Sequence, residues 1–150
     1  MPHLRLEVPV EWMQEEWVPR LLTHLVDTLC AYEMEDATKP GTMRTMINRP
    51  NLKHAVIPAY YAHVAGDPAK RFLHVTFACG NETPGRTAEV RSGAATLLGN
   101  AVDGFIAKLP AVESVVASVT VWVQDIDRTR GYTTTAERKK ARESTAPQTS

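Results

Sequence analysis

The 150-residue sequence has no excess of charge of either sign and no long apolar run. It contains 17 Lys and Arg residues and 17 Asp and Glu residues, so its formal net charge is zero. Nucleic-acid-binding proteins usually carry a basic field, and we therefore expect no nucleic-acid partner. The longest uncharged stretch that could suggest a membrane span, residues 92–102, is too short to cross a bilayer, and we expect no membrane partner.

Cysteine is scarce, and the two cysteines show no metal-binding or redox spacing. Cys30 and Cys79 lie far apart, and each belongs to an apolar pattern, so both are interpreted as small buried hydrophobes. The N-terminus shows no basic segment followed by an apolar run, which is the pattern of a secretory signal. We expect free thiols and a cytoplasmic protein.

Several motifs of known chemistry are missing. The five histidines include no pair at the helical spacing of a zinc site, so we expect no metal. No P-loop, G-x-G-x-x-G or G-x-S-x-G motif occurs, which leaves nucleotide and nucleophile-elbow chemistry without support.

The apolar pattern alternates between a strand period and a helix period. Leu4, Leu6 and Val8 alternate with polar residues and predict a first strand, which ends at Pro9 because proline cannot donate to a sheet. Apolar residues at spacings of three and four predict two helices. The helices are predicted from about 16–18 to 33 and from about 87 to 109, and further strands at 43–47, 55–64, 72–79 and 115–123. The strands at 55–64 and 72–79 could pair as a hairpin.

This order of elements contains two β-α-β units. It predicts an α+β, ferredoxin-like β-α-β-β-α-β sandwich, with two helices on one face of a four-stranded sheet. We predict one domain over residues 1–132 and a disordered polar tail over 133–150, which has no apolar period. The basic run at 138–142 is interpreted as solvated, and contact with an anionic partner is the alternative.

The sheet face opposite the helices is predicted to be mixed in character. Such a face is often covered by another subunit, so we expect an oligomer. The residues predicted to share it are His3, Arg5, Phe72, His74, Thr76, Ser118, Thr120 and Trp122.

Pro2 is a candidate catalytic residue. Methionine before a small residue is normally removed in the cytoplasm, and removal of Met1 would leave a secondary amine at Pro2. Desolvation beside an apolar core would lower the pKa of that amine, which could then act as a base and return the proton as an acid. The alternative is that Met-Pro is only a common way to begin a protein.

Five short segments, taken together, resemble the tautomerase superfamily, and within it they are most similar to the 5-carboxymethyl-2-hydroxymuconate isomerases. The resemblance spans residues 2 to about 128, and its evidence is the order of the segments. They are Met-Pro-His-Leu at 1–4, Met-Arg-Thr at 43–45, Arg-Phe-Leu-His-Val-Thr-Phe at 71–77, Gly-Arg-Thr-Ala-Glu at 85–89 and Val-Thr-Val-Trp-Val-Gln-Asp-Ile-Asp at 119–127.

The resemblance implies a homotrimer and a reaction. Pro2 would be the general base and acid of an enol–keto tautomerisation, and Arg44 and Arg86 would bind the carboxylate of a small unsaturated dicarboxylate or 2-oxo acid. No cofactor is implied, because proton transfer and oxyanion stabilisation suffice for such a carbon acid. Arg86 also precedes a predicted helix, where anions are favoured. Each arginine has an alternative role as a surface charge or an inter-subunit ion pair.

Two other functions remain open from the sequence. One is hydratase or dehalogenase chemistry, in which a protonated Pro2 donates a proton while water adds to an unsaturated acid. The other is a non-catalytic oligomeric binding module, in which residues 49–70 carry recognition. That segment is longer than the corresponding connection in the family and contains Tyr60, Tyr61 and His63. Trp12 and Trp17 are further additions.

Overall fold

Two β-α-β units make up the part of the chain that the computed structural model describes, which is residues 2–60, 63–64, 66–80 and 84–126. The predicted tail at 133–150, its basic run, and the last residues of the predicted domain lie outside the described residues. The strands are β1 His3–Pro9, β2 Glu33–Glu35, β3 Met43–Thr45, β4 Lys53–Ala59, β5 His63–Val64, β6 Asp67–Gly80 and β7 Val116–Ile126. The helices are α1 Trp17–Ala31, α2 Ala88–Ile106 and the single turn α3 Pro110–Glu113.

The main sheet is built around the antiparallel pair of β1 and β6, in which His3 lies opposite Ala78 and Glu7 opposite His74. β4 runs parallel to β1 on one side, and β7 runs parallel to β6. Helix α1 lies in the connection from β1 to β4, and α2 connects β6 to β7. The predicted ferredoxin-like α+β sandwich is therefore confirmed.

The predicted strand at 43–47 forms only over Met43–Thr45, and it lies outside the main sheet. It pairs with β2 in a separate two-stranded sheet, with Arg44 opposite Met34. The parallel partner of β1 is β4, whose residues were predicted to pair with the strand at 72–79. Of the predicted hairpin, only the short β5 pairs with β6. The alternation of apolar residues in a sequence predicts that a segment forms a strand, but it does not indicate which other strand that segment pairs with.

The core lies between the main sheet and the two long helices. Leu4, Leu6 and Val8 of β1 are fully buried, as are the apolar residues of β6 that alternate with its polar ones. The predicted stripe of α1 is confirmed, and Pro19 lies in the first turn of the helix. The remaining buried residues of the two long helices are Trp17, Val18, Leu21, Leu25, Val26, Leu29, Ala94, Leu98, Val102 and Ile106.

Of the two cysteines predicted to be buried, Cys79 is buried and Cys30 only partly so. Cys79 is fully buried on the core side of β6, and Cys30 is half-buried on α1. Burial is the largest effect on both thiols and raises the pKa of each one. Both are free thiols.

The helix-free face of the main sheet carries the predicted residues, since the register aligns Arg5 with Thr76 and Thr76 with Trp122. The indole of Trp122 is 55% exposed and meets the His74 ring edge-to-face, with centroids 4.7 Å apart. The Nδ1 atom of His74 lies 3.6 Å from Glu7 Oε2. This face therefore mixes aromatic and polar groups. Among the described helices, none has the length and apolar character that a membrane crossing needs.

Candidate active site

Pro2 lies directly before β1, at the end of the main sheet where β6 and β7 terminate. The Lys53 amide donates to the Pro2 carbonyl oxygen at 3.1 Å, which extends the pairing of β1 with β4 by one hydrogen bond. The alignment of His3 with Ala78 brings Pro2 alongside the last residues of β6. The residue is half-buried. Its backbone is therefore held firmly at a partly open edge of the core.

Arg86 connects this end of the sheet to the start of α2. Its Nη2 atom donates to the Met46 carbonyl oxygen at 2.9 Å, and its Nη1 atom lies 3.4 Å from the Gly80 carbonyl oxygen. The next residue, Thr87, is the N-cap of α2, and its side chain accepts from the Val90 amide at 3.3 Å. Arg86 is thus a half-buried cation just ahead of a helix N-terminus, as the sequence predicted.

Arg44 is the middle residue of β3. Its Nη2 atom donates to the Pro84 carbonyl oxygen at 2.6 Å. Its Nε atom is buried and has no hydrogen-bond partner among the described residues, since the Asp36 carboxylate lies 3.9 Å away. Hydrogen bonds from Thr38 are the largest effect on Asp36 and lower the pKa of its carboxyl, with a smaller contribution from Arg44.

The turn at residues 84–86 is the meeting point of the two predicted arginines. Arg44 binds the carbonyl of Pro84, and Arg86 follows Gly85, which has a φ of +85°. Through the Gly80 contact, Arg86 also reaches the end of β6 that lies beside Pro2. Arg44 and Arg86 are therefore brought together at this turn, and Arg86 also reaches the end of the main sheet that holds Pro2.

Arg91 and Asp125 support this site, and sequence reasoning did not identify them. Arg91 Nη1 donates to the carbonyl oxygen of Arg86, and its Nε atom lies 3.3 Å from Asp125 Oδ1. The pair links α2 to the end of β7. No local signal in the sequence identifies these two residues. Each is a single polar residue within or just beyond an element that was predicted from its apolar pattern.

The pKa of His3 indicates the electrostatic environment near Pro2. Burial is the largest effect that lowers the pKa of His3, and the charges of Lys53 and Arg5 lower it further. The potential at the start of β1 is therefore positive, and it disfavours any additional cation there.

Two cavities lie at opposite ends of the main sheet, and the larger one is not at the end that holds Pro2. A cavity of about 620 Å³ lies at the opposite end of the main sheet, and Trp12, Arg71 and Val115 are among its lining residues. An ion pair between Arg71 and Glu11 lies in its wall. A second cavity, of about 320 Å³, lies on the helix-free face beside His3. We assign the candidate site by its chemistry rather than by cavity size.

The arrangement places the guanidiniums of Arg44 and Arg86 at the turn at 84–86, and Arg86 also contacts the end of β6 beside Pro2. Such a site can hold a carboxylate and stabilise an oxyanion. Within the described ranges, no three His, Cys, Asp or Glu side chains gather closely enough to hold a metal ion.

Comparisons with known proteins bear on the fold. No protein-family model matches the sequence, and no curated protein matches it. Among solved structures, a 5-carboxymethyl-2-hydroxymuconate delta-isomerase is similar with a TM-score of 0.68 and 16% identity, over 94% of this chain and 93% of that chain. A 5-carboxymethyl-2-hydroxymuconate isomerase from Deinococcus radiodurans R1 gives 0.58 and 18%, over 93% of each chain.

A third similar structure is the Q0 fused 4-OT, a wild-type symmetric trimer. Its TM-score is 0.54 at 18% identity, over 89% of this chain and 92% of that chain. Identities this low establish shared architecture and leave activity to be argued from the site. The chain has the fold of the tautomerase superfamily.

Proposed function

We propose that this protein is an enol–keto tautomerase of a small unsaturated dicarboxylate or 2-oxo acid, acting in the cytoplasm after removal of Met1. The nitrogen of Pro2 removes a proton from the enol, or from the carbon next to a carbonyl. The resulting ammonium returns that proton to the other position. Arg44 and Arg86 bind the carboxylate and oppose the negative charge that develops on the dienolate oxygen. The reaction needs no cofactor.

The observation that carries the proposal is the position of Pro2. It begins a central strand of a tautomerase fold, and Arg86 binds the carbonyl of Gly80 at the same end of the sheet. A proline ring has no side-chain freedom to lose, and the hydrogen bond from the Lys53 amide holds its carbonyl. The nitrogen is therefore oriented before a substrate arrives.

The environment also suits a neutral amine. The charges of Lys53 and Arg5 that lower the pKa of His3 act on the adjacent residue in the same direction. Partial burial of Pro2 adds desolvation, which also disfavours the ammonium form. An amine with a lowered pKa is unprotonated more often at neutral pH, which is what a general base requires.

The arginines are suited to a carboxylate because a guanidinium presents five N–H donors in a planar fork. Arg44 has one hydrogen bond to a backbone carbonyl and a buried Nε atom without such a partner in the described part of the chain. Arg86 donates to neutral carbonyl oxygens. Each guanidinium is permanently charged, so both side chains attract an anion.

We further propose a homotrimer. The helix-free face of the main sheet exposes Trp122 beside polar residues, and an exposed aromatic side chain on a sheet face is suited to burial against another subunit. A fused 4-OT of the same fold forms a symmetric trimer.

The test combines the intact mass of protein from its own cytoplasm with a ketonisation assay on 2-hydroxymuconate. We expect a mass without Met1, and a fall in kcat/KM of about 100-fold or more in Pro2→Ala, because a positioned acid–base group contributes at least that much. Pro19→Ala is the matched control, since Pro19 is an exposed proline on α1 and its replacement should leave turnover unchanged.

Other results would overturn the proposal. A retained Met1, or turnover indifferent to Pro2, removes the proton shuttle. Hydration or dehalogenation without ketonisation, together with a Pro2 amine that stays protonated near neutral pH, would favour the hydratase or dehalogenase alternative. Ligand binding that survives Pro2→Ala, with no turnover of any enol by the parent protein, would favour a binding module.

A further inference from the structure

The cavity of about 620 Å³ lies at the end of the main sheet opposite Pro2. It is lined by the connection from β1 to α1, by the residues around α3 that follow α2, and by the first residues of β6. Ala69 and Arg71 line it from β6, and they fall on the same side of this strand as the buried Leu73. The cavity therefore opens on the helix side of the sheet, away from Pro2 and away from the helix-free face proposed as the subunit interface.

Most of the lining is apolar, and it includes two tryptophans. The rings of Trp12 and Trp17 meet edge-to-face, with centroids 5.4 Å apart. Trp17 is 7% exposed and Trp12 packs half-buried against the core, so both rings are held in place. A cavity of this volume with aromatic and apolar walls is typical of a small-molecule site. The other apolar lining residues are Ala69, Leu109, Pro110, Ala111, Val112 and Val115.

The charged groups of the lining balance one another. Arg71 Nε donates to Glu11 Oε1 at 2.5 Å, and Arg71 Nη1 donates to backbone carbonyl oxygens of β6. The other two charged residues, Glu15 and Lys108, have opposite signs and are exposed. A charged ligand would lose its hydration here and gain only an exposed counter-ion, which contributes little. The lining therefore favours a neutral ligand.

The two indole N–H groups add a polar requirement. Neither Trp12 nor Trp17 donates a side-chain hydrogen bond to any described residue. An indole nitrogen donates and cannot accept, and a largely buried donor without an acceptor costs free energy. A ligand oxygen that accepts from one of these groups removes that cost. An aromatic ring on the same ligand can pack against the tryptophan pair in the edge-to-face or offset geometry that such rings prefer.

We propose that this cavity is a binding site for a neutral aromatic molecule that carries a hydroxyl or carbonyl oxygen. Its ring packs against Trp12 and Trp17, and its oxygen accepts from an indole N–H. The inference is independent of the proposed reaction, since the lining contains none of the three residues assigned to that reaction.

The tryptophans provide a local readout of binding. The chain has three, Trp12, Trp17 and Trp122, and each gives one indole N–H resonance that its Trp→Phe variant assigns. Titration of the isotope-labelled full-length protein with benzyl alcohol should shift the resonances of Trp12 and Trp17 in a saturable way. Trp122 lies on the helix-free face and should not shift. Cyclohexylmethanol, which carries the same hydroxyl on a saturated ring, should bind about two- to tenfold more weakly.

Two variants change the cavity in different ways. Trp12→Leu removes one aromatic wall and should weaken benzyl alcohol binding about fivefold or more, measured at Trp17. Ala111→Phe adds a ring from an exposed lining position of α3, so it should fill the cavity and abolish the saturable shift without removing a core side chain. Ala107→Phe is the matched control. It adds the same ring at an exposed position outside the lining and should bind like the parent.

Other results would overturn the proposal. Shifts at Trp12 that do not saturate, or that persist in Ala111→Phe, remove the site. Equal affinity for cyclohexylmethanol contradicts the aromatic requirement, and tighter binding of benzoate or benzylamine at Trp12 contradicts the neutral class. None of these measurements involves turnover, so a failure of the reaction proposed at Pro2 leaves their outcome unchanged.

Discussion

Arg44 donates a hydrogen bond of 2.6 Å to the carbonyl oxygen of Pro84, forty residues away in the sequence. Arg86 donates a hydrogen bond in the opposite direction along the chain, to the carbonyl oxygen of Met46, which lies forty residues before it, at 2.9 Å. The segments at 44–46 and 84–86 are thus joined by two hydrogen bonds, one donated by an arginine of each segment. Both guanidiniums are permanently charged. The same bonds that close this part of the fold therefore orient the proposed carboxylate-binding groups.

Gly85 is the residue that this arrangement depends on. Its φ of +85° is a strained backbone conformation for any residue other than glycine, and an added Cβ would lie 2.9 Å from the Glu35 carbonyl oxygen. We expect Gly85→Ala to lower the free energy of unfolding by about 1–3 kcal/mol and to raise the KM of the proposed reaction, because Pro84 and Arg86 must move. Urea unfolding and steady-state kinetics measure the two effects.

Gly41→Ala is the control for backbone strain alone. Gly41 has a φ of +80°, but an added Cβ would meet nothing within 4 Å. We expect a smaller loss of stability and an unchanged KM. Equal effects of the two substitutions on KM would contradict the role given to the turn at 84–86.

Arg86→Lys keeps the charge but removes the planar fork. A lysine cannot hold the Met46 and Gly80 carbonyl oxygens in the same way, so we expect a loss of about 1–3 kcal/mol in the free energy of unfolding. A rise in KM should accompany it if the guanidinium also binds the carboxylate. Arg20→Lys on the exposed face of α1 should change neither quantity. An unchanged KM in a destabilised Arg86→Lys would leave Arg86 a purely structural role.

The fold was predictable from the sequence where the apolar period is long. The stripe of α1 and the alternation in β1 and β6 extend over many residues, and these elements form as predicted. β2 and β3 have only three residues each, which is too short for a period. β4 tolerates Pro58 because it is an edge strand.

The site was predictable to a lesser extent. Pro2, Arg44 and Arg86 were identified by resemblance, and the structure brings Arg44 and Arg86 to one turn and Arg86 to the end of β6 beside Pro2. The hydrogen bonds from the two arginines to Pro84 and Met46 could not be predicted, because backbone acceptors have no residue-type signal.

His3 predicts a pH dependence of stability. Its pKa is below about 6.5 in the folded protein, whereas in the unfolded chain it returns to about 6.5. Below that pH the unfolded chain therefore binds more protons than the folded one, and stability falls as the pH drops from 6.5 through the folded pKa. Thermal melting midpoints between pH 7 and 5 should fall less in His3→Gln than in the parent. His54→Gln, at the next position after Lys53 in β4, is the control and should keep the parent slope.

Trp122 predicts the effect of the helix-free face on assembly. The side chain is 55% exposed, so a charge there costs the single chain little but opposes burial of the face in a trimer. We expect Trp122→Glu to sediment as a smaller species than the parent at the same concentration. Tyr60→Glu, which alters a side chain that is 72% exposed, should sediment like the parent. A Trp122→Glu protein that assembles normally would place the interface elsewhere.

Gly93 and Gly104 are two glycines of the same helix, α2, with opposite expected responses to alanine. A methyl group at Gly93 would overlap the hydroxyl oxygen of Tyr32, whereas one at Gly104 would meet nothing within 4 Å. Helix propensity alone favours alanine by about 1 kcal/mol at either position. We therefore expect Gly104→Ala to stabilise the protein by up to about that amount, and Gly93→Ala to destabilise it because Tyr32 must leave its place between α1 and α2.

Chemical unfolding of the two variants, and of Gly93→Ala combined with Tyr32→Phe, decides the cause. Removal of the hydroxyl relieves the closest overlap, so the double variant should regain part of the stability lost in Gly93→Ala. The recovery should be incomplete, because the ring carbon that bore the hydroxyl would still lie 3.2 Å from the new methyl group. Stabilisation of equal size in Gly93→Ala and Gly104→Ala would mean that Tyr32 does not hold this position in solution.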